Sequence, residues 1–246
     1  MPQPGSLLRA LADHLPPRLR FAVRRVWHPI RLELERRRYR FTYSREFYER
    51  GYHDLLADVG GDSLDFWEAQ GYRERLMSVC DALDQHVRFA PHTRYLEVAC
   101  MYGKTAYWLA ERYPDLDVWA FDFARRFVDA TRAANPIGDR LTLWQGDATD
   151  IHLGAQRFEA HFDFVTCLDV TEHLPDEIYK RMLAELARVT RPGGHLLVMQ
   201  GNTIHVEHIH ILSEAELVAD VAKAGFQFIE TLPERHHLFR RVAAPS

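Results

Sequence analysis

Thr93-Arg94-Tyr95-Leu96-Glu97-Val98-Ala99 runs into Cys100-Met101-Tyr102-Gly103-Lys104 and then into a stretch with Ala106, Leu109 and Ala110 at helical spacing; Val118-Trp119-Ala120-Phe121-Asp122 follows. An apolar run ending on Glu97, a tight turn closing at Gly103, a helix and a second apolar run stopping at an acid give the order strand, turn, helix, strand. In an open α/β sheet that order builds a nucleotide site. The turn and helix start bring backbone N–H groups to a ligand, and the acidic end of the next strand meets ribose hydroxyls. The stretch predicts a cofactor pocket with Asp122 at its rim.

Leu141 to Gln145 reads as a third strand, ahead of Gly146-Asp147-Ala148. Phe162 to Leu168 is a near-continuous apolar run, as expected of a central strand buried on both faces. Asp169-Val170-Thr171-Glu172-His173-Leu174-Pro175-Asp176 follows it, then a helix in which Ile178, Met182, Leu186 and Val189 recur at helical spacing before Pro192 stops it. A strand over His195 to Met199, a helix from Ser213, a strand from Phe226 and a last strand over His236 to Val242 complete the reading. Ahead of the first strand, Ser44 to Val59 and Ser63 to Val87 read as helices, with Phe47, Tyr48, Tyr52, Phe66, Trp67, Tyr72 and Leu76 among their larger apolar residues. A nicotinamide-binding fold also uses a glycine turn and an acid about twenty residues on. Ala99 to Gly103 has the wrong spacing for that fingerprint.

The turn resembles motif I of class I S-adenosylmethionine-dependent methyltransferases, whose three alternate glycines correspond here to Ala99, Met101 and Gly103. The loop Gly146-Asp147-Ala148, the segment from Asp169 to Asp176 and the turn Arg191-Pro192-Gly193-Gly194 are also similar to that family, in order, over about residues 75 to 246. Within the family the pattern resembles small-molecule enzymes of the ubiquinone-biosynthesis type. The resemblance implies an α/β, Rossmann-like fold: a seven-stranded, mostly parallel sheet with an antiparallel last strand, helices on both faces and an N-terminal helical extension. Beyond a basic arm over 1–42, read from charge, it implies a methyltransferase domain over 43–246 with a helical lid at 43–90, for which Tyr48, Trp67 and Tyr72 are the aromatic candidates. It implies S-adenosylmethionine as cofactor. Glu97, Ala99, Met101 and Gly103 would hold the methionyl end, Asp122 and Phe123 the ribose and adenine, Asp147 and Ala148 the adenine edge, and Asp169 the methionine side. The implied reaction is methyl transfer to a small or medium-sized acceptor, at oxygen. The alternative is a methyltransferase-fold protein without catalysis that serves as a binding or scaffolding partner, because Met101 puts a large side chain into the turn.

Methyl transfer from a sulfonium needs a base only when the acceptor must lose a proton. His173 is the preferred candidate, since an imidazole titrates near neutral pH. A second histidine region, His205-Val206-Glu207-His208-Ile209-His210, offers His208. Asp169, Glu172 and His173 further resemble part of the metal sites in ubiquinone-pathway O-methyltransferases and small-RNA 3′-end methyltransferases, which His208 could complete. Such a metal would make the enzyme a metal-assisted O-methyltransferase; no metal ligand is assigned from the sequence.

Charge is uneven. Residues 1–50 hold twelve arginines against five acids, a balance of +7, so the remainder carries −11 to reach the total of −4. The arm could lie on an anionic membrane surface, grip an acidic partner or nucleic-acid phosphates, or simply cover the acidic domain. A small-molecule acceptor is expected as partner and nucleic acid is not; the oligomeric state is left open. No run of eighteen apolar residues is present, and Asp13, His14, Pro16 and Pro17 interrupt any secretory apolar segment. Cys80, Cys100 and Cys167 have no metal spacing, and reduced thiols in a cytoplasmic protein are the simplest expectation.

Overall fold

The computed structural model describes residues 47–52, 56, 63–201 and 207–243. The arm expected over 1–42, the membrane contact attached to it, and His205 lie outside the described residues. In chain order the elements are a short π-type turn at Phe47–Tyr52, α1 (Leu64–Ala69), α2 (Tyr72–Leu83), β1 (Arg94–Val98), α3 (Lys104–Arg112), β2 (Asp117–Asp122), α4 (Arg125–Ala134) and β3 (Leu141–Gln145). A small hairpin of β4 (His152–Leu153) and β5 (Gln156–Arg157) follows. Then come β6 (Phe162–Leu168), α5 (Asp176–Val189), β7 (Thr190–Met199), α6 (Glu214–Lys223), β8 (Phe226–Leu232) and β9 (His236–Arg241).

Seven strands form one sheet in the order β3-β2-β1-β6-β7-β9-β8. Strand β9 is antiparallel to both β7 and β8, whereas β3, β2, β1, β6 and β7 pair in parallel. The period-2 alternation of a strand sends successive side chains to opposite faces. Leu96, Val98, Val165, Cys167, Leu196 and Val198 pack under α5 and α6. Tyr95, Phe164 and Leu197 pack with α2 and α3 on the other face. Continuous apolar runs such as Phe162 to Leu168 thus reflect burial from both sides.

The strand order reverses at β1, which has β2 on one side and β6 on the other. In open α/β sheets ligands bind at such a switch point, outside the carboxyl ends of the strands. The residues just past β1 and β6, Ala99 and Asp169, therefore flank the expected crevice.

Three local expectations change. Ser63 to Val87 is two helices, broken at Gln70 and Gly71; Ser63 caps the first by accepting from the Phe66 N–H at 3.2 Å. Arg191 to Gly194 is not a turn outside the sheet but part of β7, at a register shift opposite Phe162 and Phe164. Arg191 and the Arg94 N–H both donate to the Asp163 carboxylate, which holds the irregularity in the sheet. The hairpin β4–β5 carried no alternating apolar pattern to announce it. Ser213 caps α6 as expected, in a capping box with Glu216 worth about 1 kcal/mol. Among the described residues no helix is long and apolar enough to cross a membrane.

Candidate active site

The turn after β1 keeps a glycine-type conformation without the glycines. Ala99, Met101 and Gly103 all have positive φ, 55°, 49° and 70°, at about 1–2 kcal/mol for each non-glycine residue. At Gly103 the constraint is also spatial: a Cβ would lie 2.7 Å from the Thr131 methyl and 2.9 Å from the Tyr107 ring. Three interactions hold the strained turn. Asp122 accepts from the Met101 N–H at 3.0 Å, the Thr131 hydroxyl donates to the Met101 carbonyl at 2.7 Å, and the Cys100 N–H donates to the Phe121 carbonyl at 2.9 Å. Met101 itself packs on the cluster of Tyr102, Ala124 and Phe127. Its N–H is committed to Asp122, so its backbone is a structural part of the turn.

Asp122 joins two loops. Its second oxygen accepts from the Ala124 N–H at 2.8 Å, at the start of α4, which has no capping side chain of its own. Glu49 completes that start by accepting from the Arg125 N–H at 2.9 Å. Burial pushes the Asp122 carboxyl up to about 6 against these N–H bonds. Glu97 is similar: one oxygen accepts from the Ala106 N–H at 2.9 Å, and burial pushes it up to about 7. Phe123 is half-buried, its ring 5.5 Å from Tyr48. Asp147, beyond β3, is exposed and accepts from both the N–H and hydroxyl of Thr149 at 2.8 Å, the geometry of a turn residue. Ala148 packs against the core.

Beyond β6, Asp169 again takes a positive φ, 55°, with its N–H bonded to the Met199 carbonyl. Glu172 is fully buried. One carboxylate oxygen accepts from the Gly201 N–H at 2.6 Å and the other has no hydrogen-bond partner among the described residues. Burial, then the Asp169 charge, pushes this carboxyl up to about 8. A Cβ on Gly201 would collide with the Glu172 carboxylate and lie 3.2 Å from Asp169 Oδ1 and from His208 Cε1, so the site closes only over glycine. The Ile209 and His210 N–H groups donate to the Glu172 carbonyl at 2.8 and 3.0 Å and bring His208 alongside. The His173 and His208 rings meet edge-on, centroids 4.8 Å apart. His173 Nδ1 lies 3.2 Å from the Tyr48 hydroxyl. His210 turns instead to Tyr179, 4.9 Å away.

One ligand atom from each of Glu172, His173 and His208 lies within 4.8 Å of the other two. A buried carboxylate oxygen without a partner beside two imidazoles suits a divalent transition metal, so these residues fit such an ion.

Lys104 carries a position that the sequence motifs did not single out. Its ammonium lies 4.1 Å from the Trp67 ring centroid and 5.2 Å from that of Tyr72. Both aromatic groups are lid candidates, and the first residue of α3 draws them to the cofactor turn. The available signal is compositional: the chain has three lysines, and one directly follows Gly103. Glu49 has no sequence signal, because it acts 76 residues away.

The methyltransferase-domain family matches residues 96–194. A tRNA N(3)-methylcytidine methyltransferase of Schizosaccharomyces pombe is 32% identical over 103 residues, 42% of this chain and 42% of that protein. A ubiquinone biosynthesis O-methyltransferase of Alkalilimnicola ehrlichii is 24% identical over 202 residues, 80% of this chain and 75% of that protein. A structure of a SAM-dependent methyltransferase from Methanosarcina mazei superposes with a TM-score of 0.53 at 15% identity, over 66% of this chain and 98% of that one. The chain spans about half the length of the first curated relatives it matches, 42% to 53%.

Proposed function

We propose that this chain, which carries a class I S-adenosylmethionine-dependent methyltransferase domain, transfers a methyl group to a hydroxyl of a small or medium-sized acceptor, with His173 as the base. The cofactor supplies the methyl on a sulfonium, an electrophile that needs in-line approach of the acceptor atom and little else. Each Asp122 oxygen accepts one backbone N–H and retains a second lone pair, so the carboxylate can also accept from a ribose hydroxyl. In this reading Phe123 lies against the adenine, Ala148 and Asp147 border its edge, and Glu97, the turn from Ala99 to Gly103 and Asp169 surround the amino-acid end.

The observation that carries the oxygen assignment is His173, a half-buried imidazole beyond β6 that meets Tyr48 through Nδ1. With Nδ1–H donating to the tyrosine oxygen, Nε2 carries the basic lone pair. It takes the acceptor's proton as the new O–C bond forms and the S–C electrons return to sulfur. The O-methyltransferase relative supports the same assignment. Calorimetric titration with S-adenosylmethionine and S-adenosylhomocysteine tests the cofactor half: micromolar binding that Asp122→Ala abolishes is expected, and no binding would put the scaffold reading first. Incubation with labelled cofactor and separate panels of phenols or quinols and of tRNA tests the acceptor half. Label on the small hydroxylated compounds, lost in His173→Ala, is expected; label on tRNA alone would overturn it.

A second reading is favoured by the cluster of Glu172, His173 and His208. There these three residues hold a divalent metal that orients and acidifies the acceptor hydroxyl, and His173 is a ligand rather than a base. Metal analysis of the purified chain separates the two. About one equivalent of metal, lost with activity in His208→Ala and on EDTA treatment, is expected of the second; activity indifferent to both removes it.

A further inference from the structure

The amino-acid end of the cofactor is a zwitterion, and the acids around it address only its ammonium. The carboxylate needs a cation. We propose that Lys104 binds that carboxylate and that Trp67 and Tyr72 hold its ammonium in position; the proposal rests on the cofactor reading above.

Lys104 directly follows the last residue of the turn, so its side chain leaves the backbone where the amino-acid end must lie. Its neighbours are unusual for a lysine. Among the described residues its ammonium makes no hydrogen bond and no ion pair, and its close partners are the faces of Trp67 and Tyr72. Those rings pack edge-to-face on each other, centroids 4.8 Å apart, which fixes the corner on which the ammonium rests. A lysine on the surface ordinarily extends its ammonium to water or pairs it with an acid. Burial lowers the Lys104 pKa while the charges of Asp169 and then Glu97 raise it, so both acids lie within its field. A cation thus stands beside the turn, near two acids but paired with neither among the described residues, complementary to a group that carries both charges. A flexible amine also suits this role, because it can swing from the rings to a ligand oxygen while its stem remains against them.

The test compares S-adenosylhomocysteine with its decarboxylated analogue, titrated calorimetrically into the full chain and into Lys104→Met and Lys104→Arg. The intact chain should bind S-adenosylhomocysteine at least about tenfold more tightly than the analogue, the discrimination expected of one charged hydrogen bond. Lys104→Met should lose that preference by weakening the carboxylated ligand alone, and Lys104→Arg should keep most of it. Equal loss of both ligands in Lys104→Met, or an unchanged preference, overturns the proposal while leaving the cofactor reading intact. Tighter binding of S-adenosylmethionine by Lys104→Met also overturns it, since the ammonium would then be occupying the sulfonium's place. If the intact chain binds neither ligand, the cofactor reading fails and the proposal falls with it.

Discussion

Glu185 and Glu172 are both buried glutamates within one domain, yet their surroundings differ in one respect. Glu185, on α5, faces a cation: Arg188 donates to both its oxygens, at 2.8 and 2.5 Å, and the Ile151 N–H adds a bond at 2.7 Å. Burial raises this carboxyl, but Arg188 and the Ile151 N–H outweigh it and hold it below the ordinary carboxylate range. Glu172, beyond β6, has a backbone N–H and a neighbouring acid, and is pushed up to about 8. Glu97 and Asp122, near the ends of β1 and β2, follow Glu172 rather than Glu185. Away from the switch point the fold neutralises what it buries. At the switch point it gathers acids that, among the described residues, lack an arginine partner and are held mainly by backbone N–H groups, an arrangement that costs stability and makes sense as a place kept for a ligand.

Removing the cation-matched acid should give the largest effect. Glu185→Gln removes the charge that two Arg188 bonds address, leaving Arg188 only Glu159, at 3.3 Å, as an acidic partner among the described residues, and should cost about 2–3 kcal/mol in urea unfolding, with S-adenosylhomocysteine affinity of the folded protein unchanged. A matching fall in affinity would blur the contrast. Glu97→Gln should do the reverse. Because the folded-state value is raised from 4.5 to about 7, this group's contribution to stability is complete below about 4.5 and is lost as pH rises towards 7. The variant does not titrate, so at pH 8 it should equal or exceed the parent by about 1–2 kcal/mol, while binding the cofactor about tenfold less tightly. Unfolding midpoints at pH 5 and pH 8 read the stability half. A variant less stable at pH 8 than at pH 5, relative to the parent, would contradict it. The smallest effect belongs to the strained turn: Ala99→Gly should relieve up to about 1 kcal/mol, visible as a small rise in melting temperature. A fall would mean that the alanine's packing outweighs the conformational cost.

The parts legible in the sequence are those decided locally. Leu141 to Gln145 and Phe162 to Leu168 are strands with those ends, and Asp122 closes its strand. The Asp122 carboxylate that the resemblance assigns to the ribose also receives the Met101 and Ala124 N–H groups, the second at a helix start. Asp147, which the resemblance assigns to the adenine edge, takes the geometry of a turn residue. What was not legible depends on distant partners. The glycine pattern put a large side chain at Met101 in the turn but did not announce that it packs on Tyr102, Ala124 and Phe127. Lys104 acquires meaning only once α1 and α2 fold over α3, and Glu172 only once Gly201 and the chain from His208 to His210 close over it. Burial of a charged group is a property of the assembled fold, and local spacing does not carry it.

The central claim is that the acids at the carboxyl edge are kept for the cofactor, and Asp122 tests it most directly. S-adenosylhomocysteine affinity should be measured by calorimetry from pH 8 down to pH 5 for the parent and for Asp122→Asn. An ionised Asp122 accepts the ribose hydroxyls and a protonated one accepts them poorly, so the parent should weaken as pH falls through about 6, while Asp122→Asn binds weakly and without that step. A parent affinity that is flat across the range, or a variant that binds as well as the parent, would contradict the account.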